Sequence, residues 1–139
     1  MKISWFILSV SIGFVLLSCG SSNTPKPILN SPFENTKWIL YNLDGKEFTS
    51  ENRTYIVFNT IDSKVTGNAA CNNFFGKFKK NGSSLTFEPL AATRIACPEL
   101  EKETAFMKAI QNSASYKISG DKLTLSDING NVILVFRTL

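Results

Sequence analysis

Few side chains in this sequence could carry out catalysis. Its 139 residues include no histidine, which excludes Ser-His-Asp and Cys-His nucleophiles, histidine metal ligands and the commonest general base near neutral pH. Three glutamates stand close together, but Glu99 and Glu103 share one helix face while Glu101 points elsewhere, so we interpret them as a solvated helix surface. Glu103 differs from the other two because it interrupts an apolar stripe. We therefore expect no catalytic residues and no cofactor.

A second group of oxygen-bearing side chains has the alternate spacing that opens a calcium-binding loop. Asp127, Asn129 and Asn131 occupy its first, third and fifth places. However, Gly130 stands at the fourth place instead of the sixth, and Thr138 occupies the twelfth place, where a bidentate glutamate is needed. The segment is more typical of a hairpin turn, and we expect no metal site.

Cys19 is a candidate for covalent lipid attachment. It follows the basic residue Lys2 and an apolar run over residues 3–17, which is shorter than the roughly 20 residues of a bilayer span and typical of a secretory signal peptide. Residues 16–20 resemble the bacterial lipobox, where cleavage precedes a cysteine whose sulfur carries a diacylglyceryl group. We predict that residues 1–18 are a lipoprotein signal peptide. The alternatives are an uncleaved signal anchor and an unmodified cysteine.

Residues 19–32 are polar and punctuated by proline, which predicts a flexible lipidated tether. The acyl chains on Cys19 would hold the chain on the membrane, since each buried CH₂ contributes about 0.8 kcal/mol and several chains together anchor stably. No acidic residue follows Cys19, which favours the outer membrane of a bacterial envelope. The cleaved chain has 14 basic and 11 acidic side chains, a balance too mild for nucleic-acid binding. The expected partners are thus the membrane and an envelope protein.

Cys71 and Cys97 form an even pair once Cys19 is acylated. Disulfides persist in the oxidising compartments outside the cytoplasm, so a bridge between them is the natural interpretation. It would close the loop of residues 71–97, for which the loss of chain entropy predicts about 3–4 kcal/mol of stabilisation. Two reduced, buried cysteines are the alternative. Two sulfurs without histidine do not complete a zinc site within one chain.

The remaining residues, 33–139, predict one α+β domain. Segments rich in β-branched and aromatic residues are separated by turn signals such as those at Gly45, Gly82, Gly120 and Gly130. The predicted strands cover residues 36–43, 53–59, 65–67, 73–80, 84–88, 92–95, 116–118, 123–125 and 132–136. One helix is predicted from Pro98 to about Asn112, because proline is preferred at the first helical position and carboxylates suit the first turn. Its apolar stripe, which should lie on the sheet, contains Leu100, Phe106, Met107 and Ile110.

Each cysteine of the domain lies in a distinctive segment: Cys71 in residues 66–78 (TGNAACNNFFGKF) and Cys97 in residues 90–98 (LAATRIACP). The first resembles the Gly-Cys-Asn segment of the META domain, the HslJ-like family of bacterial envelope proteins. The second is similar to that family's second signature, which leads into a helix. One departure is Ala70, where the family commonly has glycine, so a backbone with positive φ would be strained there. The resemblance implies a β-rich, barrel-like antiparallel sheet packed on one helix, and we expect about seven or eight strands. It also implies links to heat shock and antibiotic tolerance, without established catalytic residues.

Asn72, Asn73, Thr93 and Arg94 lie beside the two cysteines in these segments. They either satisfy turn and strand-end backbone groups or form a small polar binding patch. Two functions remain open. The first is a non-enzymatic interaction or stress-tolerance module, and the second is a carrier for a small apolar ligand such as a lipid or an antibiotic. The phenylalanines at positions 74, 75, 78 and 87 are expected to be core residues and cross-strand pairs, with a ligand cage as the alternative. A packed interior would favour the module, and an apolar pocket of about 300 Å³ or more inside the domain, open at one end, would favour the carrier.

Overall fold

The computed structural model describes residues 29–139. The predicted signal peptide, the lipidation site Cys19 and residues 19–28 of the predicted tether lie outside the described residues. Between residues 29 and 139, no helix is long and apolar enough to cross a membrane.

Ten strands and one helix make up the described chain. The strands are β1 (Trp38–Leu43), β2 (Lys46–Glu47), β3 (Tyr55–Asn59), β4 (Lys64–Asn68), β5 (Asn73–Asn81), β6 (Ser84–Phe87), β7 (Ala91–Ala92), β8 (Ser115–Ser119), β9 (Lys122–Ser126) and β10 (Val132–Arg137). The helix α1 (Leu100–Gln111) follows β7, within two residues of its predicted bounds. The strand predicted over residues 92–95 is wrong beyond Ala92, because Thr93 Oγ1 and Ile95 N donate hydrogen bonds to the Asn72 side chain there.

The eight longer strands form a closed antiparallel barrel. Their order is β10-β9-β8-β6-β5-β4-β3-β1, and β1 pairs with β10 to complete the ring. The two-residue strands β2 and β7 pair with β1 and β5 at the margin. The predicted β-rich architecture with one helix is therefore confirmed. Because neighbouring strands in the ring follow one another along the chain, every connection lies at one of two ends.

We call these the helix end and the tether end. The helix end holds α1 and the connections at residues 44–45, 69–72, 88–99 and 127–131. The tether end holds residues 29–36, the turns at 60–63, 82–83 and 120–121, and the last residues of the chain. There Ser31 N donates to Gly120 O at 2.9 Å, and Gly120 N donates to Asn30 Oδ1 at 2.8 Å. Contacts with the barrel thus begin inside the segment predicted as tether.

Aromatic and aliphatic side chains fill the barrel, and all of its core residues lie between Phe33 and Phe136. Residues 29–139 therefore contain a complete core of their own. Phe33 stacks on Phe58 with ring centroids 4.3 Å apart and closes the tether end. Among the phenylalanines predicted as core or cross-strand residues, Phe75 lies outside the core. It is 57% exposed, because successive side chains on β5 alternate between the inside and the outside.

Helix α1 closes the opposite end of the barrel. The Phe106 ring lies 5.7 Å from Phe74 of β5 and 6.3 Å from Phe136 of β10, two strands on opposite sides of the ring. Ile110 is also buried, and Met107 is partly buried. The prediction for Leu100 is wrong, since it is 52% exposed. Its place in the stripe facing the core is taken by Glu103, one turn further along, which is 8% exposed.

Candidate functional site

The candidate site lies at the helix end, where three segments meet at Asn72. Asn72 belongs to the turn between β4 and β5, which is closed by a hydrogen bond from Ala69 N to Asn72 O of 2.8 Å. In this turn Ala70 has φ of +74° and is buried, so the positive φ that the family's glycine would suit is adopted here by alanine. Just before the turn, a Cβ on Gly67 would collide with the Tyr55 carbonyl oxygen. The position of Asn72 therefore depends on the positive φ of Ala70 and on the absence of a side chain at Gly67.

The Asn72 side chain uses its complete hydrogen-bonding capacity within the protein. Its Oδ1 accepts from Thr93 Oγ1 and from Ile95 N, both at 2.7 Å. Its Nδ2 donates to Ile95 O at 3.1 Å and to Glu103 Oε2 at 2.9 Å. An asparagine amide has two donors and two acceptor sites, so none is left for a ligand. Asn72 is 1% exposed and fixes the segment after β7 against the barrel.

Glu103 holds the helix on the same residue. Its Oε2 accepts a second hydrogen bond from Asn72 N at 3.0 Å, so both donors come from a single turn. Within residues 29–139 no lysine or arginine pairs with this carboxylate. The negative charge lies near the N-terminus of α1, where the helix dipole stabilises it. Hydrogen bonds and the dipole, instead of an ion pair, offset its burial.

The glutamate cluster as a whole contradicts the predicted solvated surface. Glu101 is exposed, but Glu103 is buried and Glu99 is half-buried. Glu99 accepts hydrogen bonds from Lys102 Nζ at 2.7 Å and from Glu51 N at 3.0 Å. The hydrogen bond from Lys102 is the main reason that the pKa of Glu99 is lower than its ordinary value. The start of α1 is thus tied to the segment at Glu51 as well as to the turn at Asn72.

Cys71 and Cys97 are joined by a disulfide, with their Cα atoms 6.2 Å apart. The bridge ties the residue before Asn72 to the segment that leads into α1. It therefore connects the same two segments as the Asn72 hydrogen bonds. Covalent and polar contacts act in parallel here.

The four residues of the predicted polar patch lie at this place but have different environments. Asn72 is buried, whereas Asn73, Thr93 and Arg94 are exposed. Thr93 Oγ1 accepts from Asn73 N at 3.2 Å while donating to Asn72. Arg94 is free of salt bridges within the described residues. The structural role predicted as one alternative fits Asn72 and Thr93, and a surface role remains open for Arg94.

A shallow groove of about 330 Å³ lies over this network. Its apolar margin includes Ile95 and Leu100, which are 64% and 52% exposed. Arg94 contributes a cation, and Glu103 lines the groove between the two segments. Across residues 29–139, no three histidine, cysteine, aspartate or glutamate side chains are arranged to hold a metal ion. The groove offers apolar contact and the positive charge of Arg94, which forms no salt bridge with residues 29–139.

Sequence reasoning did not include Glu103 in the patch, although a signal was present. A carboxylate three residues before Phe106 and seven before Ile110 breaks the apolar stripe of the helix. Such a residue must find buried donors. The exposed Ile95 and Leu100 were also missed as surface features, because periodicity does not reveal where a helix projects beyond its sheet.

Comparisons with known proteins agree with this fold. The META domain family model matches residues 31–138. Heat shock protein HslJ of Escherichia coli (strain K12) is 26% identical over 121 residues, covering 84% of this chain and 84% of HslJ.

Two solved structures have a similar fold. A protein solved by NMR has a TM-score of 0.60 and 26% identity, covering 76% of this chain and 91% of its own. A second NMR structure, of a protein from Burkholderia xenovorans, has a TM-score of 0.59 and 20% identity, covering 84% and 97% of the two chains.

Proposed function

This chain belongs to the META domain family, and on that basis we propose that it is a non-enzymatic lipoprotein of the bacterial envelope that serves as an interaction or stress-tolerance module at the outer membrane. The name of the E. coli relative, heat shock protein HslJ, supports the stress context. The lipobox-like segment before Cys19 supports the anchor.

The groove over Asn72 is the surface that we assign to a protein partner. It combines exposed Ile95 and Leu100 with the cation of Arg94, which has no salt-bridge partner among residues 29–139. An extended segment of an envelope protein with an apolar side chain and a carboxylate would match these features. The observation that carries this proposal is that the Asn72 amide is fully hydrogen-bonded within the protein, which supports a structural role for Asn72 and leaves the exposed Ile95, Leu100 and Arg94 to contact a partner.

The carrier function receives less support from the interior of the barrel. Twelve large side chains are less than 2% exposed there, and the aromatic rings contact one another across the space that a ligand would need. The recesses that line the surface are shallow. A packed interior favours the interaction module.

Crosslinking in intact envelopes tests the partner. We replace Ile95 by a photo-crosslinking amino acid in the full chain and compare it with the same replacement at Ile128, which is 86% exposed at the same end but outside the groove. We expect a discrete protein adduct at position 95 only. Identical patterns at both positions, or a stoichiometric small molecule without a protein partner, would contradict the proposal.

The anchor is tested separately. A Cys19→Ser variant should lose acyl labelling and membrane retention. If it keeps its first 18 residues and still fractionates with the membrane, the chain has an uncleaved signal anchor instead.

A further inference from the structure

Basic side chains are concentrated at the tether end of the barrel. We define the basic rim as the lysines and arginines of residues 29–37, 59–64, 77–84, 117–122 and 137–139. They are Lys37, Lys64, Lys77, Lys79, Lys80, Lys117, Lys122 and Arg137. The same segments contain three acidic residues, whereas the rest of the described chain has five basic and eight acidic residues. Side-chain charge is therefore about +5 at the tether end and −3 elsewhere.

Most of this positive charge is free to meet an external anion. All eight side chains of the basic rim are exposed. Lys64 pairs with Asp62 at 2.8 Å, and Lys79 pairs with Glu88 at 3.5 Å. The other six form no salt bridge within residues 29–139. They lie on β5, β8, β9 and β10 and just before β1, so the positive charge extends around much of the tether end.

A recess in the basic rim has the chemistry of a phosphate site. It has a volume of about 430 Å³ and is lined by Thr60, Ser63, Phe78, Lys79 and Lys80. The Thr60 hydroxyl donates to Glu34 Oε2, and Lys79 pairs with Glu88. The Ser63 hydroxyl and the Lys80 ammonium can therefore donate to a phosphodiester, which needs hydrogen-bond donors and positive charge.

The preceding chain reaches the barrel at this same end. Asn30 and Ser31 hydrogen-bond to Gly120, and ten residues lie between Cys19 and Asn30. Even fully extended, such a segment spans at most about 40 Å. A lipid on Cys19 would thus hold the tether end of the barrel within about 40 Å of the bilayer.

We propose that the basic rim docks on anionic phospholipid headgroups of the membrane. This orients the barrel so that the groove over Asn72 faces away from the bilayer. The orientation rests on the proposed anchor, but headgroup binding by the rim does not. Long-range attraction between basic residues and an anionic surface contributes about a fivefold gain in affinity per lysine or arginine near the membrane.

Vesicle binding by the unanchored chain tests the proposal. The chain from Gly20 onward retains the whole barrel and lacks Cys19. We compare its cosedimentation with vesicles of phosphatidylcholine alone and with vesicles containing about one third phosphatidylglycerol. We expect binding only to the anionic vesicles. Raising the salt to about 0.5 M should abolish this binding, because the shorter Debye length screens the attraction between the basic side chains and the headgroups.

Two matched triple variants locate the contact. K77Q/K117Q/K122Q removes three charges from the basic rim, and K46Q/R53Q/K108Q removes three exposed charges from the rest of the barrel. The rim variant should bind anionic vesicles about a hundredfold more weakly, and the control should change by less than about threefold. Circular dichroism verifies that both remain folded. Equal losses in the two variants, or equal binding to both vesicle types, would overturn the proposal, whatever the crosslinking result at Ile95.

Discussion

The two ends of the barrel are closed by different sets of interactions. At the helix end, α1 is fixed by the buried Asn72–Glu103 hydrogen bonds and by the Cys71–Cys97 disulfide. At the tether end, Phe33 covers the opening and stacks on Phe58. The first closure adds hydrogen bonds and a disulfide to the apolar packing of Phe106, whereas the second depends chiefly on apolar contact. We therefore expect single polar substitutions to reduce stability more at the helix end than at the tether end.

Asn72→Ala should have the largest effect. It removes four side-chain hydrogen bonds, those with Ile95 N, Ile95 O, Thr93 Oγ1 and Glu103 Oε2. Glu103 Oε2 then keeps only the hydrogen bond from Asn72 N. Orphaned buried groups cost about 1–3 kcal/mol each, and breaking contacts to a buried charge costs about 3–5 kcal/mol. We expect a loss of about 4 kcal/mol, measured by urea unfolding. Asn73→Ala, at an exposed neighbour, is the control and should cost less than about 1 kcal/mol.

A double-mutant cycle sharpens this result. Replacing Glu103 by methionine removes the buried charge that Asn72 satisfies. Asn72→Ala should then cost less in the Glu103→Met background than in the natural chain, by about 1–2 kcal/mol. Additive losses would contradict direct coupling between the two side chains.

Removing the disulfide should have the next largest effect. The Cys71→Ser/Cys97→Ser variant frees a loop of residues 71–97, and chain entropy predicts a loss of about 3 kcal/mol. Reductant should destabilise the natural chain by a similar amount and leave the double variant unchanged. A natural chain that is insensitive to reductant would show that the bridge is not formed in solution.

Phe33→Ala tests the tether end. The ring is partly buried, so we expect a loss of about 2 kcal/mol, below the 3–5 kcal/mol typical of a fully buried phenylalanine. Phe75→Ala removes an outward-facing ring and should cost less than about 0.5 kcal/mol. Similar losses in the two variants would contradict the role of Phe33 in closing the barrel.

Much of this architecture could be predicted from local patterns. Strand alternation and glycine turns located nearly every strand, and Pro98 with its following carboxylates located the helix. Closure of the ring could not be predicted in this way, because β1 and β10 pair across almost the whole domain and neither sequence encodes its partner. The barrel was expected only because of the family resemblance.

The candidate site was predicted less completely, for a related reason. Asn72 and Thr93 were predicted because they lie close to the cysteines in the sequence. Periodicity placed Glu103 on the apolar face of the helix, but it did not identify the residue that donates hydrogen bonds to this carboxylate. Leu100 was assigned to the core because it shares the stripe of Phe106. In the structure Leu100 lies beyond the edge of the barrel. The position of that edge is set by the folded sheet and cannot be read from the sequence of the helix.

The smallest expected effect concerns the pKa values of two aspartates, one at each end of the barrel. At the helix end, the pKa of Asp127 is lowered chiefly by a hydrogen bond from the Asn131 side chain, 3.1 Å from Asp127 Oδ2. At the tether end, the pKa of Asp62 is lowered chiefly by a hydrogen bond from the Lys64 ammonium, 2.8 Å away. Both carboxyls therefore favour folding above the ordinary value of 3.8, and this contribution is lost as the pH falls through their lower folded pKa values.

Salt should distinguish the two carboxyls in NMR titrations of the folded chain. The Asp62 pair involves two exposed charges, so about 0.5 M salt should raise its pKa toward the ordinary value. Asp127 receives its hydrogen bonds from neutral amides of Asn129 and Asn131, which salt screens little, so its pKa should stay low. Asn131→Ala should raise the pKa of Asp127 and leave that of Asp62 unchanged. If salt shifts both pKa values equally, the Asp127 turn is held by long-range charge and not by its own hydrogen bonds.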